Sequence, residues 1–253
     1  KDHFIVTVGA LFYLMFPTLV GGTFKIFDCT RVGNTLWLHV DLEEPCYSGR
    51  HLTIAWLLGG SQLCMYVVGL PLLMLWFLVR NQDRLGELVV KRRYGLYYGG
   101  YKEERFYWEI ILSIRKISMI GLGVFGTSLG PIRQSILALL ILLMCIILEI
   151  FGRPFETPTP RHRVLPHLEL SALIVEWMTM WSGIMIFASI DAGNEDVSVS
   201  LSVFVVLIIS GMMAWLVIQL VKECGFENRE NAVVMQITTR VSKMRKSGLA
   251  SVK

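Results

Sequence analysis

Six apolar runs, each long enough for about twenty helical residues and hardly interrupted by charge, constrain this chain more than any other feature. A bilayer core of ~30 Å needs about 20 apolar residues in a helix, because an unsatisfied backbone is too costly in lipid for an open structure. The runs extend roughly over Phe4–Phe24, Leu52–Val79, Phe106–Phe125, Ile132–Phe151, Leu168–Ala188 and Val199–Val221. The expected fold class is all-α: a polytopic membrane bundle of about six helices, over residues 1–222 of a longer chain. A basic tail over 223–253 follows it. Hydrophobic residues make up 54% and charged residues 17%, and the charges cluster between the runs, as membrane insertion requires.

The connections add detail. Gly126–Pro131 leaves room only for a tight turn, so the third and fourth runs read as an antiparallel hairpin. Pro71 lies inside the second run and predicts a kink there, since its ring removes a donor and crowds the preceding turn. Most Lys and Arg fall on one side of the bundle, among them Arg80, Arg84, Lys102, Arg105, Arg153 and Lys222. Asp28, Asp41, Glu43, Glu44, Asp191, Glu195 and Asp196 lie on the other. The positive-inside tendency then puts both ends in the cytoplasm. The net charge of +4 reads as juxtamembrane clusters facing anionic inner-leaflet lipid, and nucleic acid is not an expected partner. In the tail, Val233, Val234, Ile237, Val241 and Met244 recur at near-helical spacing, which suits an amphipathic helix on the inner leaflet or a solvated tail.

Five cysteines are too few for a disulfide scaffold. Cys64 and Cys145 sit inside apolar runs and read as small hydrophobes. Cys29 and Cys46 share the polar segment between the first two runs, where an extracytoplasmic position would allow a disulfide to close the loop. Cys224 reads as a free thiol or an acylation site.

Ionisable groups inside the runs are the candidate functional residues, because each costs roughly 2.5–3.5 kcal/mol at the centre of a span and needs a partner or water. The third run holds Glu109, Ser113, Arg115 and Lys116. Glu109, Ser113 and Lys116 share one helix face at i, i+4 and i+7, while Arg115 points about 100° away. Glu149 stands near the end of the fourth run, and Glu169 and Glu176 line one face of the fifth. This set suits two roles. One is structural, with Glu109, Glu149 or Glu176 pairing Arg115 or Lys116; the other is a cation path or a voltage- or ligand-sensitive cavity. The segment from Ser189 to Ser198 is too short for a re-entrant pore loop.

Catalysis is not expected. Gly126, Ser128 and Gly130 match a nucleophile-elbow spacing, but they lie in a turn between two membrane helices rather than on a strand-to-helix turn. His3, His39, His51, His162 and His167 show no metal-ligand spacing, and no cofactor is implied.

Some punctuation is specific. The first polar loop carries Phe27, Asp28, Cys29, Trp37, Asp41 and Cys46, and the second run holds Gly69 and Pro71. Leu96, Tyr97, Tyr98, Gly99, Gly100 and Tyr101 precede Tyr107, Trp108, Glu109, Arg115 and Lys116, and Arg153, Pro154 and Phe155 follow the fourth run. Over residues 4–190 this string resembles the carboxy-terminal, TRP-like (transient receptor potential-like) membrane region of very large protist and algal surface proteins with ephrin-receptor-like cysteine-rich ectodomains. The resemblance implies a sensor or cation-channel-like membrane module in a plasma or ciliary membrane, with a large extracellular part and further spans of the same chain or other subunits as partners. The runner-up is a non-conducting anchor for an extracellular filament or surface assembly.

Overall fold

A computed structural model describes residues 2–87, 90, 94, 95, 97–155, 164–194, 196–215, 217–219 and 221. Among them, six helices are long and apolar enough to cross a membrane. We label them α1 (Asp2–Lys25), α2 (Gly49–Arg80), α3 (Trp108–Phe125), α4 (Pro131–Gly152), α5 (Val164–Asp191) and α6 (Asp196–Gln219). The tail over 223–253, with Cys224, and the basic residues Lys91, Arg92, Arg93, Arg161 and Arg163 lie outside the described residues.

The helices alternate in direction. Phe24 and Phe125 meet at 5.4 Å between ring centroids, which brings the last turns of α1 and α3 to the same end. At the opposite end, Tyr101 bridges Phe155 and Lys102 N–H donates to the Pro154 carbonyl at 2.7 Å, joining the approach to α3 with the exit from α4. α3 and α4 form the expected hairpin through a short 3₁₀ turn, Gly126–Leu129, with Pro131 opening α4. Between α5 and α6, Asn194 N–H donates to the Ser189 carbonyl at 2.9 Å and closes a tight turn.

A small antiparallel sheet adds to the all-α expectation. β1 (Cys29–Val32), β2 (Thr35–Leu38) and β3 (Asp41–Pro45) pair in sequence order between α1 and α2. The Val, Thr, Leu and Trp side chains of this segment suit a pleated strand, and Gly33 and Asn34 leave a two-residue hairpin turn. The Cys29–Cys46 disulfide closes the sheet with the two Cα atoms 6.3 Å apart. His51 in the first turn of α2 is buried and ties the sheet down: its Nδ1 accepts from Tyr47 N–H at 3.0 Å, so its Nε2 carries the proton and donates to the Ile26 carbonyl at 3.1 Å.

Pro71 is accommodated by a change of helix type. α2 is π-helical over Ala55–Gly60 and Leu63–Gly69 and returns to α-helix over Leu70–Arg80, with Pro71 in the first turn of that α segment. The proline follows directly on the π-helical Leu63–Gly69, where the wider turn departs from the i→i−4 bonding that a proline ring disrupts. Gly69 is required at the end of the wide turn, because a Cβ there would come 2.5 Å from the Cys64 carbonyl oxygen.

The inner packing is apolar. Phe16, Val20, Phe24 and Val67 form one core between α1 and α2, with Ile117, Ile120 and Val124 of α3 against it. α3 lies along α4, and α4 along α5. The outer surface is apolar too: Trp56, Leu57 and Phe151 are 73%, 77% and 81% exposed, a distribution that suits lipid and not water. On α6, Leu201, Val205, Ile208, Met212 and Trp215 are half-buried at alternating spacings of four and three. That is one seam of a helix, with the other faces outward.

Candidate functional site

The first turn of α3 positions the site. Trp108 and Glu109 are buried there, and a carboxylate in a first helical turn is favoured by the partial positive charge of the helix N-terminus. Trp108 settles because Gly152 of α4 leaves space for its ring; a Cβ at Gly152 would overlap the indole. The close approach of α3 and α4 fixes the depth of Glu109.

Three groups meet Glu109, and a fourth, Tyr13, meets its partner Lys116. Tyr101 Oη donates to Glu109 Oε2 at 2.9 Å. Lys116 Nζ lies 3.6 Å from Glu109 Oε1, an ion pair that is long for a hydrogen bond. The same ammonium donates to Tyr13 Oη at 3.0 Å and sits 4.2 Å from the centre of the Tyr13 ring. Ser113 Oγ donates to the Glu109 backbone carbonyl at 2.9 Å and not to the carboxylate. Ser113 thereby satisfies its hydroxyl within α3, as serine does in membrane helices.

Arg115, on the other side of α3, meets α5: its Nη1 is 2.8 Å from Glu169 Oε1, with both side chains largely buried. Glu149 is buried near the end of α4, and the Trp108 indole N–H faces it without reaching full hydrogen-bond geometry. Glu149, Trp108, Arg115 and Cys145 surround a crevice of about 10 Å³, scarcely room for one water. Glu176 differs from the others, since it stands exposed on α5 and makes no ion pair with the described residues. Of the carboxylates expected to pair with Arg115 or Lys116, Glu109 does so, while Glu176 makes no such pair and Glu169 takes Arg115 instead. Glu176 stands two turns along α5 on the same face as Glu169, where no cation meets it among the described residues.

Three members of the site have no charge and escape a search for charge. Tyr13, Tyr101 and Trp108 each present a polar tip from an aromatic body, a residue class usual at membrane interfaces. The signal for Tyr13 was its place inside an apolar run, where a hydroxyl needs a partner. Outside the spans, burial and then the nearby Glu109 carboxylate raise the pKa of Tyr101 and Tyr97, and burial raises that of Tyr98. Tyr101 thus remains a donor to Glu109 throughout the neutral range.

The chemistry of this arrangement is cohesion between elements. The network joins α1 through Tyr13, α3 through Glu109, Arg115 and Lys116, α5 through Glu169, and the approach to α3 through Tyr101. No family model matches the chain, and no solved structure matches it. Among curated proteins it is similar to the Toxoplasma gondii protein named "Cysteine repeat modular protein A", 23% identical over 255 residues. That similarity covers 95% of this chain but 8% of the relative, so the chain spans less than a tenth of that protein's length. What the geometry and the comparison establish together is a membrane-embedded helical domain, similar in sequence to a short portion of a cysteine-repeat protein.

Proposed function

We propose that this chain is the membrane domain of a large cell-surface protein, anchoring an extracellular cysteine-rich part and clasped internally by the Glu109–Lys116 and Arg115–Glu169 pairs. The observation that carries this reading is the 2.8 Å Arg115–Glu169 pair between α3 and α5, beside the Glu109–Lys116 pair within α3, with Glu109 only 4% exposed. Paired and buried charges fix how helices dock, whereas a conduction path leaves charges facing water. The disulfide-closed sheet suits an extracytoplasmic setting, as does the cysteine-repeat character in the relative's name. Lipid is the immediate partner, with anionic inner-leaflet lipid beside the basic loops and further spans or subunits against the exposed helix faces.

The second reading is a TRP-like sensor or cation-channel-like module. It is favoured by the two π-helical segments of α2, since π-turns recur where helices rearrange in function. Whole-cell current from the full-length protein in a non-native cell separates the two. Anchoring predicts no current above background under voltage, stretch or ligand challenge; a current whose selectivity changes in Glu109→Ala with Lys116→Ala would establish conduction.

A further inference from the structure

A groove of about 320 Å³ runs between α1, α2 and α3, from an open mouth to a polar inner end. Phe12 and Leu73 at its edge are exposed, so it opens sideways from the bundle into the bilayer. Its wall is dominated by flat groups, among them Tyr13, Phe16, Pro71, Phe77 and Tyr97. Its inner end is closed by Glu109 and Ser113, whose hydroxyl is already committed to the α3 backbone. Glu109 Oε1 is buried there with no hydrogen-bond donor among the described residues.

We propose that this groove binds a sterol-type membrane lipid, with its single hydroxyl donated to Glu109 and its fused rings against the aromatic wall. Three observations choose this occupant. The groove opens between Phe12 of α1 and Leu73 of α2, both exposed on membrane-spanning helices, so what enters there comes from the bilayer. The Glu109 charge is already balanced by Lys116 at 3.6 Å and Tyr101 donates to its Oε2, so what Oε1 still offers is an acceptor for a hydroxyl and not a site for a cation. A phosphate-bearing head would set a second anion beside a buried carboxylate, which is costly at this depth. The volume is at the small end of the range for ligand pockets and would hold the ring system, leaving an alkyl tail in lipid between Phe12 and Leu73. A rigid planar body also loses little conformational entropy on entry. The proposal goes beyond the anchoring reading and holds whether or not the bundle conducts.

The test is photolabelling of the full-length protein in the membranes of expressing cells, with a sterol probe carrying a diazirine, an alkyne and a free hydroxyl. Label is expected in peptides spanning Phe12–Phe16 and Leu70–Phe77, and excess unlabelled sterol should compete for it. Met74→Trp fills the groove and should lower the labelling on the order of tenfold, whereas Leu140→Trp, on the exposed side of α4, should not. A probe with its hydroxyl methylated should label these peptides in the wild type far less than the parent probe, a comparison that needs no variant to fold. The inference is overturned by labelling insensitive to Met74→Trp or to methylation. It is overturned equally if diacylglycerol or phosphatidylserine probes label the same peptides as strongly as the sterol.

Discussion

Tyr13 of α1 and Lys116 of α3, 103 positions apart in sequence, make a double contact: the ammonium donates to the phenol oxygen at 3.0 Å and lies 4.2 Å from the ring centre. The ring face accepts the positive charge and the hydroxyl oxygen accepts a hydrogen bond, so one tyrosine replaces part of the hydration that Lys116 loses, beside a carboxylate held at 3.6 Å. A lysine deep in a span is tolerable on these terms, and α1 is drawn onto α3 by the same contact.

The second ion pair allows a charge-reversal test. Arg115→Glu and Glu169→Arg should each lower stability, and the doubly reversed protein should recover part of the loss, with a coupling on the order of 0.5–2 kcal/mol, the range found for polar contacts between membrane helices. Thermal unfolding of the full set in detergent measures it; additive losses would mean that the two residues do not meet.

Breaking the disulfide should act locally. Cys29→Ser opens a closure across a separation of 17 residues, worth about 3 kcal/mol to the loop in the chain-entropy picture. Limited proteolysis should then cut within residues 26–48 much faster, while the six spans stay protected. Protection of the loop in the variant would show that the sheet and the His51 contacts suffice.

Gly152→Val should be among the most damaging small changes in the bundle, because the new side chain must displace the Trp108 ring. Overpacking of this kind costs typically 1–3 kcal/mol. Trp108→Ala in the same chain should relieve the clash, at the separate cost of its own cavity. Melting temperatures of the two single variants and the double variant decide it: a double variant no better than the sum of the singles contradicts the contact.

The tyrosines set an alkaline limit. Tyr97, Tyr98 and Tyr101 have folded-state pKa values raised by burial, so the unfolded chain loses these protons first, near the ordinary value of about 10. Their contribution to stability is complete below that pH and is lost as the pH rises through the folded values. Stability should be flat in this respect from pH 7 to about 9 and fall above 10. Tyr101→Phe should reduce the steepness of that fall, while weakening the protein at neutral pH by about 1–3 kcal/mol through the unmatched Glu109 acceptor. Equilibrium unfolding against pH tests both signs.

The spans were legible because the bilayer imposes one rule on every residue in them, and α4, the most apolar, shows its ends within a residue at Pro131 and Gly152. The facing of Glu109 and Lys116 was legible for the same reason, since helical spacing fixes which residues share a side. The partners were not. Spacing says that Arg115 leaves that face, but only the docking of α5 on α4 brings Glu169 to it. The exposure of Glu176, seven residues along the same helix, depends on packing that periodicity does not contain. The sheet was hidden because its strands are of four or five residues, where turn chemistry and the disulfide matter more than pattern. Gly69 and Gly152 are conspicuous only once their neighbours are known.

The buried pair between Glu109 and Lys116 carries the account, and a double-mutant cycle on the full-length protein tests it most directly. Folded protein at the cell surface should be scored by labelling for wild type, Glu109→Leu, Lys116→Met and the double variant. Each single change leaves a buried charge unpaired and should cost about 3–5 kcal/mol, removing most of the folded protein from the surface, while the double change should restore much of it. Single variants displayed as well as wild type, or a double variant no better than the worse single, would contradict a paired and dry charge network.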